Sequence, residues 1–180
     1  MWVFGYGSLL WNPGFTPVET VPARLTGWQR SFCMLSLHYR GTADDPGLVL
    51  ALDRAPDAVC AGMAFRVAPA DQAQVLADLR ARELISDAYL ECHLPVTLQD
   101  GQVVEALAYV INPDNAQYCR LDLPAQAAII ARAQGSRGPN YEYLYRTAAH
   151  LDAMGVPDAA MDELVTRVRH LRGEDDAPAR

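Results

Sequence analysis

The sequence contains no lysine, so all 15 residues counted as Lys and Arg are arginines. A chain without lysine cannot form a lysine Schiff base, and it cannot carry a P-loop, because that motif uses a lysine to bind phosphate. Acidic residues predominate, since 22 Asp and Glu give a formal net charge of -7. No basic block stands out, so we expect no nucleic-acid partner.

Long hydrophobic runs are missing as well, because no segment approaches the ~20 apolar residues of a membrane helix. The opening residues MWVFGYGSLLW have neither a basic leader nor a small-residue cleavage site, which predicts folded structure rather than a signal peptide. We therefore expect no membrane partner. A hydrophobic fraction of 51% over 180 residues supports a full core. The sequence predicts one domain over residues 1–173 and a disordered polar tail over 174–180.

The chain has only four cysteines and four histidines, and both types are widely spaced. The cysteines form no C-x-x-C pair, so we expect reduced thiols and a reducing, cytoplasmic compartment. The histidines share no metal-ligand spacing with each other or with the cysteines, so no zinc site is expected. The cysteines are Cys33, Cys60, Cys92 and Cys119.

Hydrophobic periodicity divides the chain into an early part rich in strands and a late helical part. Alternating or short apolar runs predict strands at residues 3–5, 25–37, 48–52, 61–67, 89–98 and 103–111. Helical spacing predicts helices at 70–82, 126–134 and 141–154, and a fourth after Asp158 with an apolar stripe of Met161, Leu164, Val165, Val168 and Leu171. Gly135 and Gly155 are the expected C-caps, and Asn140 and Asp158 the expected N-caps. This order predicts an α+β fold with a small mixed or barrel-like sheet followed by C-terminal helices.

The most informative segment is the glycine-rich stretch Phe4-Gly5-Tyr6-Gly7-Ser8-Leu9 after the first strand. Glycine permits positive φ and close approach of a ligand to the backbone, and successive N–H groups in such a turn can bind an anion or oxyanion. A tight turn with a bulge would explain the same residues. The spacing is not G-x-G-x-x-G, which disfavours dinucleotide binding.

The segment VFGYGSLLWNPGF at residues 3–15 resembles the opening of the ChaC-like gamma-glutamylcyclotransferases, which act on glutathione. The resemblance covers residues 2–170 in order. It continues through Arg30, Tyr39-Arg40-Gly41, Pro46-Gly47, Arg82-Glu83 and Gly138-Pro139-Asn140-x-Glu142-Tyr143-Leu144. It implies that the chain cleaves glutathione, a small-molecule substrate, to 5-oxoproline and cysteinylglycine, without a metal or organic cofactor.

The resemblance assigns proton transfer to Glu83, which matches the family's catalytic glutamate. Glu83 is also expected near the C-terminal end of a helix, where the helix dipole disfavours negative charge. From the residues alone, a solvated glutamate beside Arg80 and Arg82 is the simpler explanation.

The resemblance also implies a set of substrate-binding residues. The turn surrounds the γ-glutamyl group through its backbone amides, and Tyr143 reaches the site from a helix. Tyr143 could instead be a core aromatic. Three further candidates are weaker: Leu9 closes the turn, Arg40 could bind the glycine carboxylate of glutathione or pair with Asp44, and Tyr89 could point into a barrel mouth. The turn residues are Val3, Phe4, Gly5, Tyr6, Gly7 and Ser8.

One stretch departs from the family pattern, because Ile85-Ser86-Asp87-Ala88 stands where many members have glycines. Asp87 could face the site or solvent. Two other functions stay open: cyclotransfer on other γ-glutamyl amino acids or γ-glutamylamines, and non-catalytic binding of γ-glutamyl compounds. A Cys33–His38 hydrolase is disfavoured, since strand alternation places these side chains on opposite faces.

Overall fold

We describe residues 1–156 and 158–174 of the protein from a computed structural model. Five strands form a closed barrel in the order β1-β3-β2-β4-β5, with a further pairing between β3 and β5. The α+β prediction with a barrel-like sheet and C-terminal helices is confirmed. The strands are β1 (Trp2–Gly5), β2 (Glu19–Ser36), β3 (Gly47–Arg66), β4 (Tyr89–Leu98) and β5 (Val103–Ile111).

The β4–β5 hairpin matches its predicted bounds at both strands. Its antiparallel register runs from Tyr89 opposite Ile111 to Thr97 opposite Val103. Gly101 turns the chain with φ of 89°, a conformation that glycine adopts without steric cost. Alternation and one glycine were therefore sufficient to locate this element.

The predicted break between residues 48–52 and 61–67 is wrong, because one strand, β3, runs from Gly47 to Arg66 and includes Pro56. Residues 54–59 of β3 are exposed or half-buried. Proline is tolerated at such exposed strand positions, since it removes only one backbone donor. Pro22 occupies a similar exposed position in β2, which begins six residues earlier than predicted.

Two compact units make up the chain. The first comprises residues 1–31 and 51–116, and the second residues 32–50 and the chain from Gln117 onward. The expectation of a single domain stays a prediction, and residues 175–180 of the expected tail lie outside the described residues. In the described part of the chain, no helix is long and apolar enough to span a membrane.

In the first unit, helix α1 (Gln72–Glu83) packs its buried Val75 and Leu79 against a hydrophobic cluster from the barrel strands. This packing fixes the C-terminal end of α1 relative to β1, which leads into the glycine-rich turn. The other buried members of the cluster are Val3, Leu9, Phe65, Val67, Leu107 and Tyr109.

The second unit contains helices α2 (Leu123–Arg132), α3 (Asn140–Ala153) and α4 (Ala159–Leu171), and the short strands β6 (Gln134–Gly135) and β7 (Gly138–Pro139). Helix α2 begins earlier than predicted, because Asp122 caps its first turn by accepting from the Ala125 N–H, and it ends at Arg132 because Ala133 is extended. Gly135 is therefore not a C-cap. It lies in β6, where an added Cβ would come within 2.5 Å of the Tyr39 backbone.

The predicted caps of α3 and α4 are correct in part. Asn140 is the first residue of α3 rather than its N-cap, and its buried side chain bonds the N–H and carbonyl of Leu48. Gly155 has φ of 64° after α3, and Asp158 caps α4 by accepting from the Met161 N–H, as predicted. In the α4 stripe, Met161, Leu164 and Val168 are buried, whereas Leu171 is exposed.

Candidate active site

The glycine-rich turn links β1 to a short 3-10 helix over Ser8–Leu10. Gly7 precedes this helix with φ of -132° and ψ of -126°, and its carbonyl accepts from the Leu10 N–H. Neither Gly5 nor Gly7 has positive φ, so that expectation is wrong. Among the described residues, the Gly7 N–H donates to no backbone carbonyl, which leaves a buried donor at the start of the helix.

Close packing, rather than positive φ, explains the glycine at position 5. An added Cβ on Gly5 would lie 2.7 Å from Cε2 of Phe65 and 3.1 Å from Cβ of Leu9. Across the β1–β3 pairing, a Cβ on Gly62 would lie 2.4 Å from the Gly5 carbonyl oxygen. Close packing of β3 and of the Phe65 and Leu9 side chains therefore accounts for Gly5, while the approach of a ligand to the turn stays a prediction.

Arg30 and Tyr6 fix the turn from two directions. Arg30 donates from Nε to the Tyr6 carbonyl over 2.6 Å and from Nη2 to the Ala61 carbonyl over 2.6 Å. The Tyr6 hydroxyl donates to the Tyr109 carbonyl on β5. Because a trans peptide directs its C=O and the following N–H to opposite sides, the Gly7 N–H points away from the Arg30 guanidinium.

Glu83 is the last residue of α1, and its side chain is 16% exposed. Its Oε1 lies 3.1 Å from Nε of Arg82. The same guanidinium donates from Nη2 to the Ser8 hydroxyl over 2.8 Å and from Nη1 to the Asn12 carbonyl over 2.6 Å. The structure therefore brings Glu83 and the predicted turn together through one arginine.

A second arginine of α1, Arg80, forms a two-point ion pair with Glu91 on β4 at 2.8 and 2.6 Å. The hydrogen bond from Arg80 lowers the pKa of the Glu91 carboxyl. Burial raises the pKa of Tyr109 well above its usual range, and the charges of Glu91 and Glu83 add to this effect. The Tyr109 phenol therefore stays protonated and donates to Glu91 over 3.3 Å.

The structure shows where Asp87 and Tyr89 lie, two residues after α1 whose orientations the sequence left open. Asp87 is exposed, which is the solvent-facing alternative, and its backbone carbonyl accepts from the Asn112 side chain. Tyr89 packs against the hydrophobic cluster under α1 and lies opposite Ile111 in the β4–β5 ladder. Leu9 belongs to that cluster and is buried.

Tyr143 and Arg40 belong to the second unit. Tyr143 is buried on α3 and packs edge-on against Phe32. The Arg40 guanidinium lies 5.7 Å from the centre of the Tyr143 ring and donates to the Pro139 carbonyl. Burial lowers the pKa of Arg40, although the charge of Glu142 opposes the effect. Within the described residues, no ion pair joins Arg40 to Asp44.

Three residues with central contacts, Arg30, Arg82 and Tyr109, had no role predicted from the sequence. The pair Arg82-Glu83 carried a signal for Arg82, because a cation beside a proposed catalytic carboxylate is a candidate partner. The sequence carried no signal for the contacts of Arg30 and Tyr109, since their partners lie 18 to 103 residues away. Over residues 1–156 and 158–174, no group of three or more His, Cys, Asp or Glu side chains could hold a metal ion.

Comparison with known proteins places this chain in a family. Residues 1–171 match the family described as ChaC-like protein. The glutathione-specific gamma-glutamylcyclotransferase of Escherichia coli K12 is 36% identical over 97% of this chain and 75% of its own length. The Arabidopsis thaliana protein named gamma-glutamylcyclotransferase 2-3 is 33% identical over 98% of this chain and 92% of its own length.

The fold agrees with these matches. A crystal structure of a yeast gamma-glutamylcyclotransferase specific to glutathione superposes with a TM-score of 0.87 over 96% of both chains, at 24% identity. The human glutathione-specific gamma-glutamylcyclotransferase 1 is 32% identical over 93% of this chain and 77% of its own length. With its YGSL turn, its Arg82-Glu83 pair and its barrel, this chain belongs to the ChaC-like family.

Proposed function

We propose that this protein is a gamma-glutamylcyclotransferase that cleaves glutathione to 5-oxoproline and cysteinylglycine. The observation that carries the proposal is the link between Glu83 and the glycine-rich turn, made by Arg82 across 3.1 Å to the carboxylate and 2.8 Å to the Ser8 hydroxyl. The proposed proton-transfer group and the proposed backbone donors of the turn are therefore held by the same arginine. The family membership of the chain supports the same activity.

The reaction is an internal aminolysis. The α-amine of the γ-glutamyl group attacks its own γ-carbonyl carbon, and a C–N bond forms to close a five-membered lactam. The carbonyl oxygen gains negative charge in the tetrahedral intermediate. The original amide C–N bond then breaks, and the amine of cysteinylglycine leaves with a proton. Atoms and electrons balance without a redox step, and no cofactor is required.

Glu83 is the group proposed to move the proton. As a carboxylate it takes a proton from the attacking amine, and as a carboxylic acid it returns that proton to the leaving nitrogen, which is general base and then general acid catalysis. Its side chain is 16% exposed and lies 3.1 Å from Nε of Arg82, which supports the carboxylate form that the first step needs.

The turn is proposed to bind the γ-glutamyl group and stabilise the oxyanion. The Gly7 N–H is the leading donor, because Arg30 orients its peptide and no backbone carbonyl in the described chain accepts from it. Gly5, Tyr6 and Ser8 flank this donor. Val3 and Phe4 are fully buried, so their proposed contribution is made through the backbone of β1.

The remaining assignments rest on the sequence. Tyr143 and Arg40 stay predicted substrate contacts in the second unit, where each already has a partner. Leu9 and Tyr89 stay candidates with a packing role in the first unit. We also propose a cytoplasmic location, because the four cysteines are thiols, a state that a reducing compartment maintains.

The proposal is tested by incubating the purified protein with glutathione and measuring 5-oxoproline and cysteinylglycine by mass spectrometry. Equal amounts of both products, absent with Glu83→Gln, are expected. A protein that binds glutathione without forming 5-oxoproline would be a γ-glutamyl-binding module instead. A protein that forms 5-oxoproline only from other γ-glutamyl compounds would keep the chemistry and overturn the substrate.

A further inference from the structure

Arg82 contacts three different structural elements with its three guanidinium nitrogens. Nε lies 3.1 Å from Glu83 Oε1 at the end of α1, Nη2 donates to the Ser8 hydroxyl in the 3-10 helix, and Nη1 donates to the Asn12 carbonyl in the following loop. A guanidinium is planar, and its donors point in fixed directions. The three partners are therefore held in one geometry relative to one another.

The setting of Arg82 differs from that of a surface ion pair. Its side chain is 18% exposed, whereas Arg80 on the same helix is 52% exposed. Exposed pairs contribute little because water and salt screen them. Arg82 is less screened, and two of its contacts are charge-assisted hydrogen bonds to uncharged oxygens, which do not depend on a paired charge.

We propose that Arg82 is a positioning residue that holds the Glu83 carboxylate in register with the glycine-rich turn. This inference rests on the proposed function. Arg82 acts through Glu83 and Ser8 rather than on the substrate. Its Nε fixes the carboxylate that moves the proton, and its Nη2 fixes the residue that follows the Gly7 donor.

The consequence is a requirement for the shape of arginine and not only for its charge. A displacement of about 1 Å between a proton-transfer group and the reacting atoms can cost about 10²-fold in rate. Without Arg82, Glu83 keeps its place in α1 but its carboxylate loses the link to Ser8. We therefore expect the loss to appear mainly in kcat, because substrate contacts with the turn backbone remain.

Two substitutions separate charge from shape. Arg82→Lys retains the charge but offers one ammonium in place of a planar fork, and Arg82→Gln removes the charge. Both are expected to lower kcat by about 10- to 100-fold with a smaller change in KM. Only Arg82→Gln should move the acidic limb of the pH–rate profile to higher pH, since the cation no longer favours the Glu83 carboxylate. Arg80→Gln is the matched control and should keep kcat.

A double-mutant cycle tests the route through Ser8. If Arg82 acts through that hydroxyl, Ser8→Ala and Arg82→Gln together should lower kcat/KM by clearly less than the product of their separate effects. Independent, multiplicative effects would contradict the proposed link. An Arg82→Lys enzyme with unchanged kcat would overturn the requirement for shape.

Hydrogen exchange separates failure of this inference from failure of the proposed function. In Arg82→Gln, the backbone amides of residues 8–12 should exchange faster than in the unmodified protein, while Arg80→Gln leaves them unchanged. If the unmodified protein forms no 5-oxoproline, the proposed function falls and the exchange result still decides whether Arg82 holds this segment. If turnover is normal and both kcat and exchange are unchanged in Arg82→Gln, the positioning role is overturned.

Discussion

The Tyr6 hydroxyl donates to the backbone carbonyl of Tyr109 over 2.8 Å, in a buried hydrogen bond between the glycine-rich turn and β5. The two residues are 103 positions apart in sequence, and Tyr6 is 7% exposed. The Tyr6 hydroxyl therefore donates to a backbone acceptor within the protein. This relationship gives Tyr6 a structural role in holding the turn, in addition to any contact that its backbone makes with substrate.

Tyr6→Phe is expected to destabilise the protein by about 0.5–1.5 kcal/mol, because it removes one buried hydrogen bond and keeps the ring. The change can be measured as the free energy of unfolding in urea. If the turn shifts as well, kcat/KM for glutathione should fall. A variant with unchanged stability would show that the bond contributes nothing net.

Local patterns predicted the hairpin and the helices of this fold but failed where a partner is distant. Alternation around Gly101 located β4 and β5, since a hairpin is a local structure. Asn140 was assigned to a cap because Asn is a frequent N-cap, yet its side chain bonds Leu48, 92 residues away. Pro56 was taken as a strand end, although β3 continues through it where its surroundings are exposed.

Glu83→Gln is expected to abolish turnover and leave the fold intact. Glutamine keeps the size and can still accept from Arg82, but it cannot carry the proton, so a loss of ~10²–10⁴-fold or more in kcat is expected. Glu105→Gln is the control, because Glu105 is 77% exposed on β5. Normal turnover by a folded Glu83→Gln protein, checked by circular dichroism, would rule out the assignment.

The glycines on either side of the β1–β3 pairing should tolerate alanine to different degrees. In Gly62→Ala the new Cβ meets a backbone oxygen at 2.4 Å, whereas in Gly5→Ala it meets the Phe65 ring edge at 2.7 Å. A ring can shift more easily than a strand, so Gly62→Ala should destabilise more. Overpacking of this kind costs about 1–3 kcal/mol.

The substitution Phe65→Leu should compensate for Gly5→Ala but not for Gly62→Ala. Phe65→Leu removes the ring edge that Gly5→Ala would meet, so the double variant should be more stable than the sum of the two single effects predicts. Phe65→Leu should not compensate Gly62→Ala. Urea unfolding of all five variants decides the point, and equal effects of the two alanines would contradict the packing argument.

The sequence predicted the turn and Glu83 as site residues but could not predict how they are joined. The prediction of Glu83 came from the resemblance and that of the turn from its glycines, although the positive φ expected of them is wrong for both Gly5 and Gly7. The contacts of Arg82 with Ser8 and Asn12 depend on how α1 packs over β1. That packing is a property of the whole barrel and has no local signal.

The Arg80–Glu91 pair predicts a dependence of stability on acid pH. The hydrogen bond from Arg80 lowers the pKa of folded Glu91 below the unfolded value of about 4.3. The pair therefore stabilises the fold above that value, and its contribution is lost as pH falls through the folded pKa. Compared with Glu91→Gln, the unmodified protein should lose its stability advantage below about pH 4.

Arg80→Gln is the matched variant for this test. It removes the cause of the lowered pKa, so its stability advantage over Arg80→Gln/Glu91→Gln should be small and nearly independent of pH. Urea unfolding at a series of pH values between neutrality and acid measures each difference. A constant advantage of the unmodified protein over Glu91→Gln across that range would contradict the linkage.

Glutathione should be preferred over simpler γ-glutamyl compounds, and the preference should extend to kcat. Contacts with the cysteinylglycine part can hold the scissile bond in place, so a substrate without them loses rate as well as affinity. The measurement compares kcat/KM for glutathione, γ-glutamylcysteine, γ-glutamylalanine and γ-glutamyl-ε-lysine on one preparation.

If Arg40 binds the glycine carboxylate, Arg40→Gln should lower kcat/KM for glutathione and spare γ-glutamylcysteine, which lacks that group. The ratio of the two substrates within one variant does not depend on the folded fraction, so partial unfolding cannot imitate the effect. An unchanged ratio would exclude Arg40 from that role, and equal or faster turnover of γ-glutamylalanine or the lysine compound would remove the preference for glutathione, while Glu83 and the turn would remain candidates for the chemistry.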